Sequence, residues 1–91
     1  MLHIIKHLEK LSLVSAYLLP GDAVLLTENA VYAAAAQSPY PIRLNDQISW
    51  AVLHEDLQAR GWLINVDPRI HITTMSDFVE LTITHEKSIT W

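Results

Sequence analysis

No cysteine occurs among the 91 residues. The absence excludes a disulfide framework, a thiolate-ligated zinc or iron–sulfur centre, a thiol nucleophile and any persulfide carried by this chain itself. Glycine is nearly as scarce: only Gly21 and Gly61 are present, and both follow helical patterns rather than opening them. A backbone cradle for phosphate needs glycines ahead of a helix, so the sequence holds no nucleotide loop of that kind. Basic residues are few as well, six Lys and Arg against ten Asp and Glu. The resulting charge of −4 runs opposite to the basic stripe that neutralises nucleic-acid phosphates, and no direct nucleic-acid contact is expected. No apolar run approaches the roughly 18 residues of a membrane-spanning helix. Met1–Lys6 lacks the apolar stretch and small-residue cleavage site of a signal peptide. A cytoplasmic protein without membrane attachment is expected.

What the sequence holds in quantity is apolar. Hydrophobic residues make up 51% and charged ones 18%, far from the composition of disordered chains. The length predicts one domain, residues 1–91, with a radius of gyration of about 12 Å. A domain of this size buries only about 60 to 65% of the surface of its unfolded chain. So high an apolar content therefore predicts side chains left outside for a partner.

Short apolar runs alternate with helical patterns. Leu2–Ile5 is a brief apolar run, after which Leu8, Leu11, Val14, Ser15 and Leu18 recur at helical steps until Pro20-Gly21-Asp22. Ala23-Val24-Leu25-Leu26, apolar at every position, predicts a strand covered on both faces. Thr27 is placed to cap an Ala-rich helix from about Asn29 to Gln37, which Ser38-Pro39-Tyr40-Pro41 breaks. Gln47–Leu53 reads as a third strand and His54–Gly61 as a two-turn helix. Its carboxylates lie in the first turn, Arg60 lies near the end, and Gly61 stands where a left-handed cap is wanted. Two further strand candidates, Gly61–Ile64 and Ile70–Ile72 within Arg69–Thr73, flank Asp67-Pro68. Thr74 and Asp77 suggest a capping box, followed by a helix whose Phe78, Leu81, Thr82 and His85 share a face. Ser88–Trp91 alternates, as an edge strand would. The pattern predicts a small three-layer α/β/α domain with a mostly parallel sheet of about four to five short strands.

In such a sheet, ligands bind beyond the carboxyl ends of the strands. The residues there are Lys6 and His7, Thr27–Asn29, His54–Asp56 and Thr73–Asp77. His54, Glu55 and Asp56 form a possible acid–base cluster, although two carboxylates also suit an ordinary helix start. That cluster carries the alternative functional readings, a small independent enzyme or a ligand-sensing α/β module. His3 and His7 have metal-ligand spacing, yet along a strand four residues reach too far for one ion, and no metal or cofactor is expected. His71 and His85 read as a strand residue and a helix-end residue. The acidic residues do not fit a phospho-acceptor domain, because Lys6, His7 and His54 stand where its aspartates belong. Trp50 reads as core. Trp62, Trp91 and Tyr40 are the candidate interface aromatics, because tryptophan and tyrosine dominate binding hot spots.

Taken together, several segments resemble one family. These are Met1-Leu2-His3, Gly21-Asp22-Ala23-Val24-Leu25-Leu26 with the Ala-rich helix after it, Glu55-Asp56-Leu57-Gln58-Ala59-Arg60-Gly61, and Asp77-Phe78-Val79-Glu80-Leu81-Thr82 running to Trp91. In order and length they resemble the TusB/DsrH family across the whole chain, with His54 departing from an expected Asn cap. The resemblance implies a DsrEFH-like fold and a B-type subunit of a sulfur relay that passes persulfide sulfur toward 2-thiolation of the wobble uridine of tRNA. It implies paralogous C and D subunits as partners, in a heterotrimer dimerised to a heterohexamer, with the sulfur-accepting cysteine on the D subunit and upstream and downstream sulfur carriers linked indirectly. In the related sulfur-oxidation complexes the H subunit can carry its own cysteine. The zero cysteine count here therefore favours the tRNA branch and a structural, docking role without catalytic residues in this chain. Lys6 or His54 would act, if at all, by favouring thiolate in a neighbouring subunit.

Overall fold

The computed structural model describes residues 1–34, 47–61, 66–67, 69–85 and 87–91. Five strands form one sheet, β1 (Leu2–Ile5), β2 (Ala23–Leu26), β3 (Ser49–Leu53), β4 (His71–Thr73) and β5 (Ser88–Thr90), in the order β4-β3-β2-β1-β5 with every pairing parallel. Among the described residues the α-helices are α1 (Leu11–Ser15), α2 (His54–Ala59) and α3 (Met75–Thr84). The α/β class and the parallel sheet agree with the sequence pattern, and the radius of gyration, 11.9 Å, agrees with the length.

Chain direction sets the layers. From β1 to β4 the chain advances one strand at a time, then returns across the whole sheet to β5. Right-handed crossovers put the helices of the advance on one face and the helix of the return on the other. The core divides accordingly. On the first face Ile5, Val24, Leu26, Trp50 and Val52 pack against Leu11, Val14, Ala30, Val31 and Leu57. On the second, Leu2, Ile4, Ala23 and Leu25 meet Ala51 of β3 and Phe78 and Leu81 of α3.

Local chemistry explains where element types differ from the sequence pattern. The first helical stretch opens as a 3₁₀ turn, Leu8–Lys10, and its α portion is brief. The Ser15 hydroxyl donates to the Leu11 carbonyl at 2.9 Å, and Gly21 at φ +92° turns the chain toward β2. The Ala-rich stretch is a 3₁₀ helix over Glu28–Ala34, not an α-helix. Its buried residues, Ala30 with Ala33 and Val31 with Ala34, repeat every third position, which a three-residue turn stacks into two columns. The Thr27 hydroxyl donates to the Ile5 carbonyl at 3.3 Å, tying β2 to β1. Of the capping box only the Thr74 half is formed: its hydroxyl accepts from the Asp77 amide at 3.3 Å. Gly61 closes α2 at φ +63°.

Candidate functional site

The carboxyl edge of the sheet brings together the loop residues singled out in the sequence. β3 leads into α2 on one face and β4 into α3 on the other, so the crevice between β3 and β4 is the topological switch point at which such sheets bind ligands. Here that crevice is bridged. The Glu55 carboxylate accepts from the Met75 amide at 3.0 Å, supplying a free donor at the start of α3 with a charged partner. The Asp56 carboxylate accepts from the Glu28 amide at 2.7 Å and lies 3.8 Å from the Arg60 guanidinium. Asn29 accepts from the Leu8 amide at 3.2 Å. These three side chains lace the four strand-to-helix loops to one another. Glu28 is held at φ +50°, a left-handed conformation unfavourable for a residue with a side chain. The His54 ring makes no hydrogen bond to Glu55 or Asp56 among the described residues. Both carboxylates of the supposed acid–base cluster thus serve the fold, while Lys6 and His7 stay exposed.

A second polar cluster, missed in the sequence, is built on the first strand. His3 is buried, and its Nε2 lies 3.0 Å from a carboxylate oxygen of Asp22. The Trp91 indole N–H donates to His3 Nδ1 at 3.3 Å. Because indole can only donate, Nδ1 must accept, which puts the ring proton on Nε2, facing Asp22. Asp22 also accepts from the Leu19 amide at 3.0 Å and pairs with the Met1 ammonium at 3.0 Å. Burial opposes its ionisation, but the Leu19 amide, the His3 ring and the Met1 ammonium outweigh burial and hold the carboxyl at about 2. Trp91 stacks between His3 and Tyr17, with ring centroids 6.3 and 5.9 Å apart. It is half-buried, and its carbonyl accepts from the Lys6 amide at 3.0 Å. Trp62 and Tyr40, the other two interface candidates, lie outside the described residues. No one-dimensional signal marks His3 and Asp22 as partners, since they meet only through the β1–β2 register.

Elsewhere, the Arg69 side chain and amide hold the Asp67 carboxyl below its usual range. His71 is exposed, and His85 Nδ1 lies 3.0 Å from the Leu81 carbonyl at the end of α3. Among the described residues no three His, Asp or Glu side chains are grouped to hold a metal ion, and no helix is long and apolar enough to cross a membrane.

With this geometry in view, the family model for DsrH-like proteins matches residues 6–88. The chain belongs to the DsrH-like family. Among relatives of this family member, the protein TusB of Erwinia tasmaniensis is 35% identical over 82 residues, spanning 89% of this chain and 86% of that protein. TusB of Serratia proteamaculans is 36% identical over 72 residues, 78% and 76% of the two chains. TusB of Buchnera aphidicola is 32% identical over 74 residues, 77% and 75% of the two chains. The matched region of the DsrH-like chain runs from the end of β1 into β5 and so includes the laced carboxyl edge and all of α3.

Proposed function

We propose that this DsrH-like chain is a structural and docking subunit of a cytoplasmic sulfur relay, one that passes persulfide sulfur toward 2-thiolation of the wobble uridine of tRNA without carrying sulfur itself. The carrying observation is the absence of cysteine in a chain whose relatives are TusB proteins. A persulfide needs a thiolate to form on, so in this reading the sulfur resides on the cysteine of a paralogous D subunit, with this chain in a heterotrimer that dimerises to a heterohexamer. Surface composition supports the reading. Met75, Val79 and Ile83 expose half or more of their area along one stripe of α3, more apolar helix surface than a lone small domain needs. Trp91, Trp62 and Tyr40 are the aromatic contacts proposed for the assembly. The net charge of −4 suits protein partners better than RNA. The acid–base alternative loses ground because Glu55 and Asp56 are committed to backbone amides.

The test is co-expression of the tagged chain with its C and D paralogues, followed by light-scattering mass and by quantitation of 2-thiouridine in tRNA from cells lacking the chain. A complex holding all three chains and a loss of the thiolated nucleoside are expected. A chain that stays alone beside both paralogues, or unchanged thiolation in its absence, overturns the reading.

A further inference from the structure

The two faces of the sheet are covered unequally. Among the described residues, the first face is roofed by α1, the 3₁₀ stretch and α2, whereas the second has α3 alone. Strands lie about 4.8 Å apart, so five of them present a floor about 20 Å wide, and a helix with its side chains covers only about 10 Å of it. Leu2, Ile4, Ala23 and Leu25 of the second face pack against Phe78 and Leu81 of α3. Where that cover ends, over β2, β3 and β4, Ala23, Ser49, Ala51 and the exposed His71 line an open groove of about 420 Å³. Its wall is the flank of α3 that bears Asp77, Glu80 and Thr84, one row at helical spacing. Neither carboxylate forms an ion pair among the described residues, so the wall is negative, and the groove's imidazole, His71, stands on β4 without an ion pair to either of them.

We propose that this groove seats a basic helix of a partner protein, with small side chains against the Ala23–Ser49–Ala51 floor and Lys or Arg along the edge facing Asp77 and Glu80. The small floor lets a second helix lie beside α3, completing the layer, and the unpaired carboxylates select its charge. The inference rests on the functional reading above in taking that helix from a paralogous relay subunit.

The test uses the complex assembled with the C and D paralogues. A benzoylphenylalanine photocrosslinker at position 49 is expected to join a helical segment of one paralogue bearing Lys or Arg at three- or four-residue spacing. Charge reversal in Glu80→Lys is expected to weaken assembly by about tenfold, and Glu80→Gln by less, with a shallower salt dependence than the parent. Ser49→Trp, at an exposed position, fills the groove and is expected to weaken assembly without lowering the melting midpoint of the isolated chain. If the parent assembles but all three variants assemble equally well, or the crosslink falls on a second copy of this chain, the groove is only a bare stretch of sheet face and the proposal fails alone. If the parent does not assemble at all, the functional reading fails and takes this one with it.

Discussion

At the scale of single residues, the buried His3–Asp22–Trp91 cluster carries the clearest consequence. Asp22 titrates at about 2 in the folded chain against 3.8 as a free side chain. A depressed carboxyl stabilises the fold above its unfolded value and loses that contribution as pH falls toward the folded one. Urea titrations should therefore show stability declining from about pH 4 to pH 2, with Asp22 supplying about 2 kcal/mol of the change. Asp22→Asn should flatten that acid limb while lowering stability at neutral pH. An identical limb in the variant would mean that other carboxyls carry the transition. The indole N–H is separable from the indole ring. Trp91→Phe keeps an aromatic between His3 and Tyr17 but leaves His3 Nδ1 without its donor, and about 1 kcal/mol should be lost in the same titration. Trp50, by contrast, was legible as core from its place in an apolar strand, and it is buried. Nothing in the chain's linear order joins residue 3 to residues 22 and 91.

At the scale of elements, boundaries follow from caps and backbone conformation. Thr74→Ala should lower stability by about 1 kcal/mol, because the Asp77 amide loses its partner. Glu55→Ala should add a similar loss, because it frees the Met75 amide. Gly61 and Glu28, both at positive φ, make opposite predictions. At Gly61 a methyl group meets open space, so Gly61→Ala should destabilise by about 1 kcal/mol for backbone reasons alone. Glu28→Gly should instead relieve strain and leave the melting midpoint equal or higher, because an L-residue in that conformation costs about 1 kcal/mol or more. A large loss at Glu28→Gly would assign the side chain a part in the fold that its exposed position does not show. Helices α2 and α3 were visible in the sequence through their charge order and capping residues. The 3₁₀ form of residues 28–34 was not, because an Ala-rich run suits either helix and tight packing of paired alanines decides between them.

At the scale of the whole molecule, the DsrH-like chain should gain stability from assembly. A partner that binds only the folded state at a hundred times its dissociation constant adds about 2.7 kcal/mol. For a chain of 91 residues this corresponds to about 10 to 20 °C in the melting midpoint. Differential scanning calorimetry of the chain alone and with the C and D paralogues proposed as its partners measures it, and coincident midpoints would argue against an obligate assembly. The apolar excess in the composition predicts such dependence. Three-dimensional structure refines it, because three of the exposed apolar residues, Met75, Val79 and Ile83, line up on the outer stripe of α3, while others such as Leu13, Tyr17 and Leu19 lie around α1 and the turn after it.

The sequence by itself determined the class of the fold, since apolar strands alternating with amphipathic helices have few other ways to bury both patterns. It also determined that no persulfide can form on a side chain of these 91 residues, since that chemistry needs a thiol and both sulfur-bearing side chains present are methionine thioethers. Only the tertiary structure decided the strand order, with β5 returning beside β1, and hence which sheet face one helix is left to cover. It likewise decided that Glu55 and Asp56 lace loops together instead of forming an acid–base pair with His54. Both outcomes depend on contacts between residues distant in the chain, and those contacts are set by strand register and crossover direction, which local pattern does not encode.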